Sequence, residues 1–396
     1  MTDVDTKSLS VLLVDDEPFV RKLTGRLLSE FGFERIEEAS NGREALDLLD
    51  ASAAFDVIFC DLMMPDMDGV EVVRHLSERD EAPAIAFLSG ADAAVLRAAE
   101  GLAKARRLNV LGAIPKPVNK PDIEKALARL EEDQRPRSRR ALPQITEDDL
   151  ARGINEDELF FHYQPKVHVK TRALNSVEAL VRWKHPDHGL VFPDAFVGLA
   201  ESGPLITPMT EKLVEIGLRQ LSEWKAAGLE TRVGVNLSPS MLSDVTLPER
   251  LFKMTRSFDL HPEQVVLEIT ETGVAEDEAI YLEIVTRLNM KGFVLSIDDF
   301  GTGSSSLEKL EALPFTELKI DRAFVDGAHA NPTKLAILEA SLGLAKSLGL
   351  KTVAEGVEVK NDWDLLHGLG CDVIQGYYVA KPMPADELLS WLADWA

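Results

Sequence analysis

Short apolar runs alternate with amphipathic stretches along the first third of the chain. In the stretches between the runs, such as Pro18–Phe31 and Gly69–Arg79, apolar residues recur at helical spacing. The five runs are Ser10–Val14, Arg35–Ala39, Asp56–Cys60, Ala84–Leu88 and Val110–Ile114. This alternation predicts five βα units, which build a parallel sheet with helices on both faces. We therefore expect a doubly wound α/β domain at residues 1–130.

A second pattern begins near Thr146, where about 250 residues remain. Its eight strand-like runs are Leu159–Gln164, Leu174–Leu180, Arg232–Leu237, Val265–Ile269, Phe293–Ile297, Thr316–Ile320, Lys351–Ala354 and Asp372–Tyr377. Amphipathic stretches separate most of them, and the segment has the length of a (β/α)8 TIM-type barrel. Only the nine residues Pro165–Ala173 separate the first two runs, whereas a parallel crossover needs a dozen or more. We therefore predict a modified barrel at residues 146–396 whose first strand is antiparallel.

The segment between the two patterns, residues 131–145, loses the apolar period and mixes charged residues with proline. This composition is typical of a domain linker. Four basic residues cluster in it: Arg135, Arg137, Arg139 and Arg140. In a chain of net charge −24 we interpret the cluster as part of a solvated hinge. Contact with RNA or a membrane surface is the alternative.

The composition excludes several classes of protein. With 45% hydrophobic and 28% charged residues, the chain is that of a folded globular protein. Its net charge of −24 argues against a DNA partner, because phosphate binding needs a basic face. No apolar run approaches the ~20 residues that span a bilayer, and the N-terminus lacks the parts of a signal peptide. We therefore expect a cytoplasmic protein with no membrane partner, in which Cys60 and Cys371 are buried thiols.

Polar residues follow the strands predicted in residues 1–130. In a parallel sheet of this kind the carboxyl ends of the strands share one crevice. The residues at those ends are Asp15, Asp16, Asp61, Ser89 and Lys116. Asp16 and Asp61 have the oxygen ligands that Mg²⁺ prefers, and Asp61 can also attack a phosphoryl group. Ser89 and Lys116 can bind the phosphoryl oxygens.

At these residues the segment resembles the receiver domains of two-component response regulators. The matching motifs are Val14-Asp-Asp-Glu17, Asp61-Leu-Met-Met-Pro-Asp-Met-Asp-Gly69, Leu88-Ser-Gly90 and Lys116-Pro117. The resemblance implies a flavodoxin-like fold, a phospho-acceptor at Asp61, a cis Lys116–Pro117 bond, and a sensor histidine kinase or phosphorelay donor as partner. One position differs, because Ala113 stands where many receivers carry a Tyr or Phe that acts as a rotamer switch.

The ends of the predicted barrel strands carry a second set of polar residues, and barrel enzymes place their chemistry there. These residues are Glu178, Asn236, Glu268, Asp298, Asp299, Lys319, Glu355 and Gln375. Oxygen ligands with one Asn suit Mg²⁺ or Mn²⁺, whereas zinc favours Cys and His. Adjacent Asp298 and Asp299, expected in an exposed acidic loop after the strand, suggest two metals with one bridging carboxylate. Such a site activates water for phosphoryl displacement.

With these residues the second domain resembles the EAL family of cyclic-di-GMP phosphodiesterases. The matching motifs are Glu178-Ala-Leu-Val-Arg-Trp183, Val235-Asn-Leu-Ser238, Leu267-Glu-Ile-Thr-Glu271, Asp298-Asp-Phe-Gly-Thr-Gly303, Leu318-Lys-Ile-Asp321, Ala354-Glu-Gly-Val-Glu358 and Gln375-Gly376. The ligands that the resemblance implies for one metal are Glu178, Asn236, Glu268 and Asp298. Asp299 would ligate the second metal, with Asp298 bridging and Glu355 nearby.

The resemblance also implies roles for residues around the metals. Lys319 would hold and polarise the attacking water, and Gln375 would help to position it. The residues expected to contact the nucleotide are Gln164, Arg182 and Asp321. Glu271 would anchor the loop after Asp299, which in this family couples substrate binding to dimer contacts. We accordingly expect a homodimer or higher homo-oligomer.

Three functions compete. An active hydrolase that opens cyclic di-GMP to linear pGpG needs the full ligand set and the lysine, and all are present. A degenerate EAL module that binds only the dinucleotide or a protein partner is the first alternative. A different two-metal phosphoesterase or an isomerase is the second. For the hydrolase we expect Mg²⁺ or Mn²⁺ as cofactor, two ions in the barrel and one in the receiver site.

Overall fold

A computed structural model describes residues 6–51, 55–79, 82–90, 93–106, 108–134, 143, 145–270, 277–301 and 307–395. The chain divides into two compact units, Met1–Arg140 and Ala141–Ala396. Each unit has its own hydrophobic core. None of the helices within the described ranges is both long enough and apolar enough to cross a membrane.

In the described residues, the first unit is a five-stranded parallel sheet with five α-helices. The strands are β1 (Ser10–Val14), β2 (Arg35–Ala39), β3 (Val57–Asp61), β4 (Ala84–Ser89) and β5 (Val110–Pro115). The helices are α1 (Pro18–Glu30), α2 (Gly42–Ala51), α3 (Gly69–Leu76), α4 (Ala93–Ala105) and α5 (Lys120–Gln134). The strand order is β2-β1-β3-β4-β5, with every neighbouring pair parallel. The predicted doubly wound fold is confirmed.

Strand β1 illustrates why the inner strands of the sheet are nearly continuous apolar runs. Leu12 and Val14 belong to the core layer on one face of the sheet. Val11 and Leu13 belong to the layer on the other face. Because successive strand residues point to opposite faces, a sheet covered on both sides needs apolar residues at every position.

A helix covers the beginning of the segment predicted as a linker. Helix α5 continues to Gln134, four residues into residues 131–145. The next helix, α6, begins after Thr146, whose side chain and that of Asp149 form a reciprocal capping box. The basic cluster Arg135–Arg140 lies outside the described residues.

Nine strands and ten helices lie in the described part of the second unit. The strands are β6 (Leu159–His168), β7 (Leu174–His185), β8 (Gly189–Val191), β9 (Val233–Asn236), β10 (Val265–Thr270), β11 (Val294–Phe300), β12 (Glu317–Ile320), β13 (Lys351–Ala354) and β14 (Val373–Gln375). The helices are α6 (Glu147–Asn155), α7 (Val197–Glu201), α8 (Ile206–Ala226), α9 (Leu247–Ser257), α10 (Glu278–Met290), α11 (Leu307–Ala312), α12 (Arg322–Val325), α13 (Pro332–Leu348), α14 (Lys360–Leu369) and α15 (Glu387–Trp395).

Eight of these strands close a barrel. Their order is β6-β14-β13-β12-β11-β10-β9-β7, and β6 pairs with β7 to complete the ring. Strand β6 is antiparallel to both of its neighbours, whereas β9 to β14 and β7 run parallel to one another. The predicted modified TIM-type barrel with an antiparallel first strand is therefore confirmed. The short strand β8, which the sequence pattern did not predict, forms an antiparallel hairpin with β7.

The barrel strands present one face to the helices and the other to the interior. On β10 and β12, Leu267 and Leu318 are fully buried members of the hydrophobic core. Their neighbours Glu268 and Lys319 therefore point to the opposite side, into the barrel. The same alternation turns Glu178 and Gln375 toward the interior, because their neighbours Ala179 and Ile374 belong to the hydrophobic core.

Candidate active site

The carboxyl ends of the parallel barrel strands bring the predicted polar residues together in register. Asn236 on β9 is paired with Glu268 on β10. Thr270 on β10 is paired with Asp298 on β11. Glu178 on β7 pairs with Gln164 on the antiparallel strand β6. Polar side chains from neighbouring strands thus share one end of the barrel.

Lys319 lies among four of the carboxylates and is almost fully buried. Its Nζ is 2.7 Å from Glu355 Oε1, 2.9 Å from Asp298 Oδ1 and 3.8 Å from Glu178 Oε2. It also contacts Oε2 of Glu268. Burial disfavours the ammonium ion, but these carboxylates outweigh it and raise the pKa of Lys319 well above its usual value. Lys319 is therefore a cation at neutral pH.

Asp298, Asp299 and Glu355 each offer a carboxylate oxygen, and these oxygens all lie within 4.8 Å of one another. Burial, together with repulsion from neighbouring carboxylates, raises the pKa of Asp299. Burial raises the pKa of Glu355 to about 8 despite its contact with Lys319, and Glu178 and Asp298 add to the shift. Carboxylates held this close repel one another unless a cation lies between them.

A β-bulge in β11 explains how adjacent residues reach one site. The register with β12 shifts between Ile297 and Phe300, and Asp299 has a φ of 55°, in the left-handed region. Asp298 and Asp299 lie within β11, and Asp298 is buried. The prediction that both lie in an exposed loop after the strand was therefore wrong. An extra residue in the strand turns both carboxylates to the same side without ending the pairing.

Amide side chains hold Glu178 in place. Gln375 Nε2 donates to Glu178 Oε2 at 2.7 Å and to Gln164 Oε1 at 2.9 Å. Asn236 Nδ2 donates to Glu178 Oε1 at 3.4 Å. Although burial opposes the charged form, nearby Lys319 lowers the pKa of Glu178 to about 2. Glu178 is thus ionised and oriented.

A second buried lysine lies beside the site and was not predicted. Lys166 on β6 is 1% exposed, and its Nζ is 2.6 Å from Glu268 Oε1. Burial opposes its charge, but the Glu268 carboxylate outweighs burial and raises the pKa of Lys166. The period of two along a strand could have predicted that Lys166 faces the interior, because it is two residues beyond inward-facing Gln164 on the same strand.

The donor set fits divalent cations. The cluster contains five acidic side chains and two lysines, so acidic groups outnumber basic ones. The acidic residues are Glu178, Glu268, Asp298, Asp299 and Glu355, and the lysines are Lys166 and Lys319. In addition, Oε1 of Gln375 is buried and has no hydrogen-bond partner among the described residues. Carboxylate and amide oxygens are the ligands that Mg²⁺ and Mn²⁺ prefer.

The remaining predicted residues lie around this cluster. Arg182 is buried on β7, donates to the Val181 carbonyl at 2.8 Å and lies 5.0 Å from the ring centre of Phe192. Asp321 follows β12, and its carboxylate caps α12 by accepting from the Ala323 N–H at 2.7 Å. Glu271, predicted as a loop anchor, lies outside the described residues.

A cavity of about 440 Å³ opens beside Asn236, between strands β7 and β9 and helices α7 and α8. Its walls are mostly apolar and include Phe161, Leu180, Val197 and Leu237. Mostly apolar walls with a few polar groups, here Asn236, Ser238 and Thr270 among others, are typical of small-molecule pockets.

The first unit has a separate acidic cluster at its own strand ends. Carboxylate oxygens of Asp15, Asp16 and Asp61 lie within 4.8 Å of one another. Lys116 Nζ is 2.8 Å from Asp15 Oδ2 and 2.7 Å from Asp61 Oδ2. Burial raises the pKa of Asp61 against the influence of Lys116.

Two further predicted features complete this cluster. Ser89, the buried last residue of β4, accepts from the Lys116 N–H at 3.0 Å through its carbonyl, so the two strand ends lie side by side. The Lys116–Pro117 bond is cis, as predicted. Ala113 pairs with Phe87 in the register of β5 with β4.

Comparison with known proteins matches both units to families. Residues 147–382 match the EAL domain, and residues 11–128 match the response regulator receiver domain. The cyclic di-GMP phosphodiesterase RocR of Pseudomonas aeruginosa is 33% identical over 387 residues, which cover 97% of this chain and 98% of RocR. The order of the two domains in this chain therefore has a full-length counterpart.

The barrel alone has further relatives. The bifunctional diguanylate cyclase/cyclic di-GMP phosphodiesterase MucR of P. aeruginosa is 39% identical over 246 residues, 62% of this chain and 36% of MucR. The solved structure of the PaMucR phosphodiesterase in complex with c-di-GMP superposes with a TM-score of 0.58 at 38% identity. That match covers 61% of this chain and 98% of the solved one.

Proposed function

The chain belongs to the EAL domain family and carries a response regulator receiver domain ahead of its EAL domain, and on this premise we propose that it is a phosphodiesterase that hydrolyses cyclic di-GMP. The product we propose is linear pGpG. Water attacks one phosphorus, the bond from that phosphorus to a ribose 3′ oxygen breaks, and the phosphate stays on the 5′ oxygen. The observation that carries this proposal is the complete set of strand-end carboxylates around Lys319.

Two divalent cations, Mg²⁺ or Mn²⁺, fit this set. Their proposed ligands are Glu178, Asn236, Glu268 and Asp298 for one ion, and Asp298 and Asp299, with Glu355 nearby, for the other. Bound there, the ions would supply positive charge beside the phosphodiester and a water of lowered pKa. The excess of carboxylates over lysines and the close oxygens of Asp298, Asp299 and Glu355 support two ions rather than one.

The protein's own groups would then orient the reaction. Lys319 holds and polarises the attacking water through its ammonium group, which is fixed among the strand-end carboxylates. Gln375, which already holds Glu178 at 2.7 Å, helps to position that water. Gln164, Arg182 and Asp321 contact the nucleotide, and the cavity beside Asn236 receives one of its flat bases.

The test is hydrolysis by the purified full-length chain. We expect cyclic di-GMP to be converted to pGpG with Mg²⁺ or Mn²⁺, as measured by mass spectrometry, and to stay intact in EDTA. Ca²⁺ should not support turnover, because it is larger and loosely coordinated. Glu178→Ala should abolish hydrolysis, while Glu230→Ala, at an exposed position, should not. Binding without turnover would instead identify a binding module.

For the first unit we propose phosphorylation at Asp61 by a sensor histidine kinase or phosphorelay donor. One Mg²⁺ or Mn²⁺ held by Asp16 and Asp61 would accompany it, and Lys116 and Ser89 would bind the phosphoryl oxygens. The cluster of three carboxylates around Lys116 supports this proposal. We also propose that the chain acts as a homodimer or higher homo-oligomer, with residues 1–130 as the receiver and residues 146–396 as the phosphodiesterase.

A further inference from the structure

We propose that Lys166 is a positioning residue that fixes the carboxylate of Glu268 for metal binding. The inference rests on the proposed function, because it assigns Glu268 as a ligand in a two-metal site. Lys166 itself is not placed among the ligands and is not proposed to touch the substrate. Its effect would be exerted through the orientation of one carboxylate.

The first observation is that both oxygens of Glu268 contact a lysine. Oε1 of Glu268 accepts from Lys166 Nζ at 2.6 Å, and Oε2 contacts Lys319. All three side chains are buried, with exposures of 0% for Glu268 and 1% for each lysine. Lys166 comes from the antiparallel strand β6, where its register partners are Ser176 on β7 and Gln375 on β14. Because Lys166 holds Oε1, the proposal assigns metal binding to Oε2, the oxygen on the Lys319 side.

The second observation is the space that β9 leaves for this carboxylate. A Cβ placed on Gly234 would lie 2.1 Å from Glu268 Oε1, which is far inside contact distance. The φ of Gly234 is not in the left-handed region, so the glycine is required for clearance rather than for backbone conformation. The Glu268 carboxylate is thus confined by the backbone of β9 on one side and by the Lys166 ammonium group on another.

The charge of Lys166 and its orienting role have opposite effects on metal binding. A buried ammonium ion close to a cation site repels the bound cation, so removing it should strengthen metal binding if Lys166 acts only as a charge. If Lys166 instead orients Glu268, removing it frees the carboxylate to rotate and weakens metal binding. Partners that orient a metal ligand are typically worth a factor of about 10 to 100 in metal affinity. The two roles therefore predict changes of opposite sign.

The experiment measures Mn²⁺ affinity by calorimetric titration of the full chain, with Asp16→Ala in every protein so that the receiver site does not contribute. We expect Lys166→Met to weaken Mn²⁺ binding to the barrel about 10- to 100-fold. At saturating Mn²⁺ its kcat should recover most of the loss, because the defect lies in metal binding. Lys170→Met, at an exposed position just beyond β6, is the matched control and should bind as the parent does.

A second variant keeps the test decisive if Lys166→Met folds poorly. Lys166→Gln removes the charge but retains a hydrogen-bond donor toward Glu268, so we expect it to recover part of the affinity lost in Lys166→Met. Unchanged or tighter Mn²⁺ binding in both variants would overturn the proposal and leave Lys166 a structural charge. If the parent protein itself neither binds Mn²⁺ in the barrel nor hydrolyses cyclic di-GMP, the proposed function fails instead.

Discussion

Lys319 and Lys166 both contact Glu268, but the two side chains have different surroundings. Lys319 also contacts Asp298 and Glu355, at the mouth where substrate would bind. Lys166 is equally buried but contacts Glu268 alone among the carboxylates within ion-pair distance in the described residues. We therefore expect these two lysines, although both contact Glu268, to affect different steps: Lys319 the hydrolysis and Lys166 the binding of metal.

Lys319→Ala should lower kcat by a factor of about 100 or more, the range seen when one preorganised stabilising group is removed. Its effect on KM should be smaller, because its proposed partner is the water and not the substrate. Mn²⁺ affinity should not fall, since a repelling charge is removed. Steady-state kinetics at saturating Mn²⁺ and calorimetry test this prediction. A change confined to KM would assign Lys319 to substrate binding.

Metal binding should release a proton near neutral pH. In the metal-free protein the pKa of Glu355 is raised to about 8, so its carboxyl group holds a proton at pH 7 that a neighbouring cation displaces. The apparent Mn²⁺ affinity should therefore rise with pH up to about 8 and level off above it. Calorimetry at pH 7 in buffers of different ionisation enthalpy measures the number of protons released on metal binding.

The matched variant for this effect is Glu355→Gln, which cannot hold or release that proton. Its binding heat should not depend on the buffer to the same extent as that of the parent. Equal buffer dependence in the two proteins would mean that another group, and not Glu355, carries the proton.

Individual residues were predictable where their chemistry stands at a strand end. Asp298 and Glu355 follow apolar runs, Lys319 lies near the end of one, and the structure brings the three together. Lys166 was missed because Pro165 suggested that the strand ended at Gln164. In the structure β6 continues to His168, and Pro165 is paired with Val177 within it. A proline is tolerated where its position requires no ladder N–H.

At the scale of elements, the apolar runs predicted the strands well because a buried parallel strand must be apolar on its helix-facing side. They could not predict the β11 bulge, since an inserted residue leaves the apolar pattern before it unchanged. The three-residue strand β8 is too short to produce a pattern at all. The first domain was predicted to end at residue 130, whereas helix α5 continues to Gln134. The last four residues of the helix are polar in sequence, so no apolar period indicated them.

The β11 bulge leads to a prediction about Asp299. Its φ of 55° is tolerated by Asp and Asn but unfavourable for a β-branched residue. Asp299→Asn and Asp299→Val remove the same charge, and both should lose the second metal and most of the hydrolysis. Asp299→Val should in addition lower the free energy of unfolding by about 1–2 kcal/mol relative to Asp299→Asn. Denaturant unfolding and Mn²⁺ stoichiometry test this, and equal stability of the two variants would contradict a strained position.

On the scale of the whole molecule, two domain families are joined in one chain. Both domain types were identifiable from the sequence because their motifs fall at strand ends in a fixed order. The sequence did not reveal how one unit influences the other, because that influence depends on surfaces that carry no motif. A modification can shift an equilibrium between states only by its differential free energy in those states.

An aspartyl phosphate at Asp61 would add about two negative charges beside Asp15 and Asp16. Lys116, which contacts both Asp15 and Asp61 in this structure, would have to rearrange to bind the phosphoryl group. We expect beryllofluoride with Mg²⁺, which mimics the phosphoryl group, to change kcat for cyclic di-GMP several-fold, with an accompanying change in oligomer distribution. Turnover and light scattering are measured with and without the mimic, and ¹⁹F NMR reports its occupancy.

Asp61→Asn is the control, in which the rates with and without the mimic should be equal. Because Ala113 stands where many receivers carry an aromatic switch residue, we expect the effect of phosphorylation to reach the barrel through oligomer contacts. If the mimic occupies Asp61 and neither turnover nor oligomer distribution changes, the receiver serves docking or assembly and does not regulate the barrel.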